Sequence, residues 1–171
     1  IDDDYGTVFA KTKVELDGVK ANVRTHETNL GDLITDALVW GAGKNGTKVD
    51  AAVTNGGGIR ATIKKGDITK KDINTVLPFG NTVAVVYVTG EQLLEALEAS
   101  TFSTPTAVGG FPQVSAINFT IHTGKAYDKN DATYPESTYY GPKTINRVVI
   151  NSVNGKEFKA NEVYAVVTNN F

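Results

Sequence analysis

The stretch VTNGGGIRA, residues 53–61, ends an apolar run in three consecutive glycines and follows them with Ile59 and Arg60. Glycine loses more backbone freedom on folding than any other residue, roughly 0.5–1 kcal/mol relative to alanine, so three together need a geometric reason. The run that leads into them, VDAAVT (49–54), has the length and composition of a short buried strand. A strand that empties into Gly56, Gly57 and Gly58 predicts a loop against which something lies very close.

Upstream, in THETNLGDLITDALVWGA (25–42), Leu30, Leu33, Ile34, Ala37 and Leu38 recur at helical spacing behind Thr28 or Asn29 as the cap, with Gly41 and Gly43 placed to close the helix. Further back, TVFAKTKVEL (7–16) alternates as a half-buried strand, and Asp17-Gly18 predicts a hairpin turn into a second run. Downstream, Thr69 is placed to cap a short helix stopped by Pro78, and TVAVVYV (82–88) reads as a central strand. A second helix follows in EQLLEALEAS (91–100), where Leu93, Leu94 and Leu97 share a face. Residues 101–116, with two prolines and two glycines, read as a loop, INFTIHT (117–123) as a strand, and the polar, tyrosine-rich segment 125–143 as a long loop. Asn154-Gly155 predicts a hairpin, and EVYAVVT (162–168) a closing strand. Hairpins mixed with strand-to-helix units predict an α+β fold, a mixed β-sheet with packed helices.

The chain has 171 residues, the length of one ordinary domain, so residues 1–171 are expected to form a single unit. Seventeen basic against nineteen acidic residues give a net charge of -2 without a concentrated basic segment, which argues against a nucleic-acid polymer as partner. The apolar runs fall far short of the ~20 residues that span a bilayer, so no membrane span is expected in this segment. The absence of cysteine excludes disulfides and thiolate chemistry, and the absence of methionine even at position 1 predicts a piece of a longer polypeptide.

Catalytic chemistry is sparse. His26 and His122 lie far apart and outside any HExxH, HxH or DxH pattern, so no metal site and no catalytic residue is expected in this chain. The glycine loop is neither a Walker A loop nor GxGxxG, and Asp17, Asp36, Asp50, Asp67 and Asp72 are scattered over turns and helices, where capping and surface roles predominate. The binding signals are better. Arg60 follows a loop whose bare N–H groups can face an anion, Arg24 precedes the first long helix, and arginine forks suit phosphate. Arg147, the third arginine, is assigned to a strand and to no part in binding. Phe79, in LPFGN, is either presented by its Pro-Phe-Gly loop or packed into the core.

Four motifs in order, ETNLGDLITDAL, NGGGIRA, LPFGN followed by an apolar strand and TGEQLLEALE, and GGFPQVSAINFTI, resemble the C-terminal domain of the 5′-nucleotidase family over essentially the whole chain. The resemblance implies the substrate-binding half of a metal-dependent phosphoesterase. A separate N-terminal metallophosphatase domain, absent here, would carry two divalent metal ions and a catalytic His-Asp pair, and this chain would bind a nucleoside monophosphate or related nucleotide. By position, Arg24 and Arg60 resemble the arginines that grip phosphate, and Asn55 the polar side chain that opens the glycine loop of Gly56, Gly57 and Gly58. Phe79 and Phe171 resemble the two rings that sandwich the base.

In the family a glycine-rich turn with a ribose-contacting aspartate follows the second ring. This chain stops at Phe171, which implies a missing ribose contact and a frayed terminal ring. Ala116 stands where the family has glycine. The resemblance further implies a bacterial parent placed extracellularly, at the cell wall or in the periplasm, with the present chain inactive alone. A non-catalytic surface binding or adhesion module with the same fold is the alternative. A metallophosphatase domain upstream in the parent gene separates the two.

Overall fold

The computed structural model describes residues 4–133 and 141–171. In chain order its elements are β1 (Val8–Thr12), α1 (Asn29–Lys44), β2 (Ala51–Asn55), a single 3-10 turn (Gly56–Gly58), β3 (Gly66–Thr69), α2 (Lys70–Val76), β4 (Val83–Thr89), α3 (Gly90–Ser100), β5 (Pro112–Ser115), β6 (Ile117–Ile121), β7 (Val148–Val153), β8 (Lys156–Glu157) and β9 (Val163–Asn169). The fold is α+β. A four-stranded mixed sheet runs β4-β9-β2-β5, with β2 and β9 parallel and the outer pairings antiparallel. Two smaller antiparallel sheets, β1-β3 and β6-β7-β8, flank it.

Strand alternation sends successive residues of β2 and β9 to opposite faces, and both faces of this sheet are covered. On one face Ala52 and Val167 pack with Ala42, Leu38 and Val39 of α1. On the other, Ala51, Tyr164 and Val166 meet Leu93 and Leu97 of α3 and Ile117, Val148, Ile150 and Val153 of the three-stranded sheet. A third cluster of Leu16, Val23, Leu30, Ile59, Ile63, Ile68 and Val76 lies under β1, β3 and the first half of α1. Helix α1 therefore spans two cores, through Leu30 and Ile34 at one end and Leu38 and Ala42 at the other.

Local cap and turn chemistry acts as the sequence predicts. The Thr28 hydroxyl caps α1 by accepting from the Gly31 amide at 3.1 Å. Thr69 and Asp72 form a reciprocal capping box on α2, which ends at Val76 with Leu77 as its C-cap just before Pro78. Asn154 and Gly155 take positive φ angles of 51° and 71° in the turn joining β7 to β8.

Four expectations fail. Helix α1 continues through Gly41 and Gly43 to Lys44 and stops at Asn45, ahead of Gly46 at φ 78°. The packing of Leu38 and Ala42 outweighs the roughly 1 kcal/mol cost of each interior glycine. Asp17-Gly18 makes no hairpin, because the Asp17 carboxylate turns the chain locally by accepting from the Val19 amide and the Asn22 side chain. Strand β1 pairs instead with distant β3. The run at 82–88 forms β4 at an edge, with Val83, Val86 and Tyr87 exposed, and β9 is central. Within the supposed loop 101–116 lies β5, an edge strand whose first residue, Pro112, sits where a missing N–H is tolerated. Of the long loop at 125–143, residues 134–140 lie outside the described residues, and the remainder includes a bridge between Lys129 and Pro142.

Candidate functional site

The close approach at the glycine loop is made by the protein itself. A Cβ at Gly56 would lie 1.8 Å from the Val23 carbonyl oxygen, and one at Gly57 would lie 2.8 Å from the Gly109 carbonyl oxygen. The Gly56 amide donates to the Phe111 carbonyl and the Gly57 amide to the Gly109 carbonyl, both at 2.8 Å. Those two amides are thus committed to backbone and are not bare toward an anion. Residues 109–111 belong to the GGFPQ motif, so two of the motifs are halves of one joint. Gly58 is less crowded, since a Cβ there would lie 3.4 Å from the Asn55 side chain.

The same joint orients its neighbours. Beyond the 3-10 turn the Arg60 amide donates to the Val76 carbonyl at 2.9 Å, which ties the loop to the end of α2. The Arg60 guanidinium donates to the Gly57 carbonyl at 3.3 Å and stands 5.6 Å from the centroid of the Phe79 ring. Phe79 is 60% exposed, which decides between its two readings: it is presented, not packed in the core. The cation over its face is a cation–π contact between two residues drawn from separate motifs.

Asn169, which carries no distinguishing mark in the sequence, joins this group to the chain end. Its side-chain amide donates to Thr54 Oγ1 and Asn55 Oδ1, both at 3.0 Å, and its oxygen accepts from the Phe171 amide at 3.0 Å. Asn170 pairs with Thr82 through its backbone amide at 3.0 Å and its side-chain oxygen at 2.8 Å. The backbone before the terminal ring is therefore tied down, contrary to the fraying expected, while the ring of Phe171 is 87% exposed. Asn55, Asn169 and Phe171 edge an apolar cavity of about 470 Å³ whose walls include Leu93, Leu97 and Val166. Asn169 also edges a cavity of about 130 Å³ beside Phe79 and Gly58.

Arg24 is tied to this region through its backbone. Its carbonyl accepts from the Val108 amide at 3.1 Å, next to the residue that receives the Gly57 amide, and its Nε is buried without a hydrogen-bond partner among the described residues. Buried polar atoms are ordinarily paired, so this nitrogen marks a place for an acceptor. Gln113, buried at 1% exposure, fixes the Arg24 segment: its oxygen accepts from the Thr28 amide at 3.1 Å, and its amide donates to the carbonyls of Val23 at 3.1 Å and His26 at 2.8 Å. Gly31 makes room for it, since a Cβ there would lie 2.0 Å from the Gln113 oxygen. The sequence carries a glutamine in GGFPQ but nothing that links it to residues 85 positions away.

Arg147 lies just before β7, is 2% exposed, and donates to the carbonyls of Thr101, Phe102 and Thr104 beyond α3. It takes no place near Arg60, but its role is structural and not inert. His26 and His122 are exposed, and among the described residues no group of three His, Asp or Glu could hold a metal ion. No helix among the described residues is long and apolar enough to cross a membrane.

The sequence profile described as "5'-nucleotidase, C-terminal domain" matches residues 8–171. The trifunctional nucleotide phosphoesterase protein YfkN of Bacillus subtilis is 41% identical over 162 residues, covering 94% of this chain and 10% of the relative. Protein UshA of Escherichia coli is 36% identical over 134 residues, covering 77% of this chain and 23% of its own length. Among solved structures, a 5'-nucleotidase precursor from Thermus thermophilus superposes with a TM-score of 0.78 at 34% identity, over 96% of this chain and 30% of that one. This chain spans less than a third of the length of each.

Proposed function

The chain belongs to the 5′-nucleotidase C-terminal domain family, and from that premise we propose that it binds a nucleotide for hydrolysis by a second domain of the same polypeptide. Arg24 and Arg60 hold the phosphate, Phe79 and Phe171 stack the base, and Asn55 fixes the spacing between the two groups. The joint of Gly56, Gly57 and Gly58 serves as the rigid mount, and Gly58 offers the closest backbone to the ligand. An N-terminal metallophosphatase domain, with two divalent metal ions that supply the hydrolytic chemistry, completes the enzyme. The parent acts outside the cytoplasm, at the bacterial cell surface or in the periplasm.

The observation that supports this reading is the Arg60 guanidinium over the exposed Phe79 ring beside the glycine joint, with Asn169 tying Asn55 to the backbone of Phe171. Arg24 adds a buried nitrogen in need of an acceptor.

The test is steady-state kinetics on the full-length parent with AMP and UDP-glucose. Arg24→Ala and Arg60→Ala should each lower kcat/KM by about 1.5–3 kcal/mol, the size of a lost hydrogen bond to a charged group. Wild-type kinetics for both variants would overturn the phosphate assignment.

A further inference from the structure

The sequence holds three Asn-Gly pairs, Asn45-Gly46, Asn55-Gly56 and Asn154-Gly155. Such a pair is suited to an internal reaction in which the backbone nitrogen after asparagine attacks the side-chain amide carbon, because glycine has no Cβ to block the approach and its backbone turns freely. The reaction needs that nitrogen without an acceptor, a side-chain amide able to turn onto it, and open space around both. The three dipeptides are identical, so their surroundings decide between them.

Two of the pairs are held. At Asn55-Gly56 the Gly56 amide donates to the Phe111 carbonyl at 2.8 Å, and Asn55 Oδ1 accepts from Asn169 Nδ2 at 3.0 Å. The space is closed as well, since a Cβ at Gly56 would lie 1.8 Å from the Val23 carbonyl oxygen. Asn45-Gly46, at the end of α1, is exposed and open around Gly46. Hydrogen bonds alone hold it: Asn45 Nδ2 donates to the Gly41 carbonyl at 3.1 Å, and the Gly46 amide donates to the Gly43 carbonyl at 3.0 Å.

Asn154-Gly155, in the turn between β7 and β8, has neither restraint. Both residues are exposed, and a Cβ at Gly155 would meet nothing within 4 Å. Among the described residues neither the Asn154 side chain nor the Gly155 backbone amide has a hydrogen-bond partner. The backbone amide of Asn154 donates to the Ala116 carbonyl at 2.8 Å, a bond that involves neither reacting group.

We propose that Asn154 is a site of spontaneous deamidation, and that the fold protects Asn45 and Asn55 from the same reaction. The Gly155 nitrogen gives its proton to hydroxide and bonds to Asn154 Cγ, the Cγ–Nδ2 bond breaks, and ammonia leaves with a proton taken from water. Water then opens the cyclic imide at the Cγ carbonyl to give aspartate, or at the backbone carbonyl to give isoaspartate. One water is consumed and one ammonia released, with no change of oxidation state. Isoaspartate routes the backbone through the side chain and adds a methylene to a two-residue turn, so the Val153–Lys156 and Ser152–Glu157 pairings of β7 with β8 are what it disturbs.

Peptide mapping by mass spectrometry tests this, with the intact protein held in mildly alkaline buffer beside a sample unfolded in guanidinium chloride. Each asparagine is followed by the mass gain of amide-to-acid conversion, and its folded rate is divided by its own unfolded rate to remove the effect of local sequence. That ratio should be at least about tenfold higher for Asn154 than for Asn45 or Asn55, each of which has two hydrogen bonds to break first. Isoaspartate at residue 154, read by enzymatic methyl transfer to its free α-carboxylate, should accumulate alongside. A ratio for Asn45 or Asn55 that matches that of Asn154 would overturn the assignment. So would an Asn154 that stays intact in the folded protein while its unfolded counterpart converts, which would mean that the turn itself keeps Gly155 nitrogen from Cγ.

Discussion

Glu98, with 0% exposure, accepts from three successive backbone amides, those of Asn146, Arg147 and Val148, at 2.7–3.2 Å. Arg147 answers from the other direction by donating to carbonyls beyond the C-terminus of α3, where helix carbonyls lack intrahelical partners. The two residues thus lock α3 to β7 through charge-assisted bonds to backbone. Removing the carboxylate strands three buried N–H groups, so Glu98→Ala should cost about 3–5 kcal/mol and lower Tm by roughly 6–20 °C in thermal denaturation. Glu98→Gln keeps one acceptor oxygen and should cost less. A Glu98→Ala melting point within about 2 °C of wild type would mean that these amides find other partners. Phe79 presents the opposite case. Its ring is exposed and touches Arg60, so Phe79→Ala should leave Tm within about 2 °C while raising KM for AMP in the parent by roughly 1–3 kcal/mol of lost stacking. A melted variant would return Phe79 to the core.

At the scale of elements, legibility follows the range of the interaction. The caps of α1, α2 and α3 and the Asn154-Gly155 turn act within three or four residues, and the sequence displays both partners. The edge place of β4, the strand β5 and the joint between residues 56–57 and 109–111 depend on pairing across the chain, for which a single sequence holds no local sign. The site divides the same way. Arg60 and Phe79 stand beside conspicuous punctuation, whereas Asn169 and Gln113 look like any strand amide until their distant partners are in place. Helix α1 also carries a pH dependence. Burial, then the charge and hydrogen bond of Glu27, and finally the charge of Asp36 raise Asp32 from 3.8 to about 6. A folded value above the unfolded one means that the stabilising contribution is complete below about pH 4 and is lost as pH rises toward 6. Asp32 is partly exposed, so solvent screening holds the effect to at most about 1 kcal/mol. Asp32→Asn should flatten the slope of Tm against pH between 4 and 7. An unchanged slope would place the titration elsewhere.

For the whole molecule, the four-stranded sheet covered on both faces gives the chain its own core, while the carboxylates and histidines present do not assemble a metal site among the described residues. On the proposed two-domain reading, binding and bond cleavage should separate. The 171-residue chain should hydrolyse neither AMP nor UDP-glucose with Mn²⁺, Zn²⁺ or Ca²⁺ present, and turnover that scales with repurified protein would overturn the two-domain reading. If the proposed site binds AMP, its affinity follows from magnitudes. Two exposed rings contribute ~1–3 kcal/mol each by stacking, and the arginines add roughly 1.5–3 kcal/mol per charge-assisted bond. Association costs at least about 4 kcal/mol in lost freedom, and ordering the Phe171 ring and the long Arg60 side chain costs about 0.5–1.5 kcal/mol apiece. Arg60 must also keep to one face of Phe79 or give up its contact there. At mid-range values the remainder is about 2–3 kcal/mol, and the upper half of the ranges brings it near ~4 kcal/mol, a dissociation constant of about 1 mM. At about 10 mM AMP, roughly ten times that constant, linkage gives about 1.4 kcal/mol of stabilisation, which for a domain of this size raises Tm by roughly 3–6 °C. Differential scanning fluorimetry across AMP concentrations measures this directly, and Arg60→Ala should remove most of the shift. No shift at that concentration would show that Arg60, Phe79 and Phe171 do not make a nucleotide site without the second domain. A micromolar constant would show instead that the rings and arginines are already set for the ligand by the Asn55–Asn169 tie, and that nothing beyond Phe171 is needed to hold it.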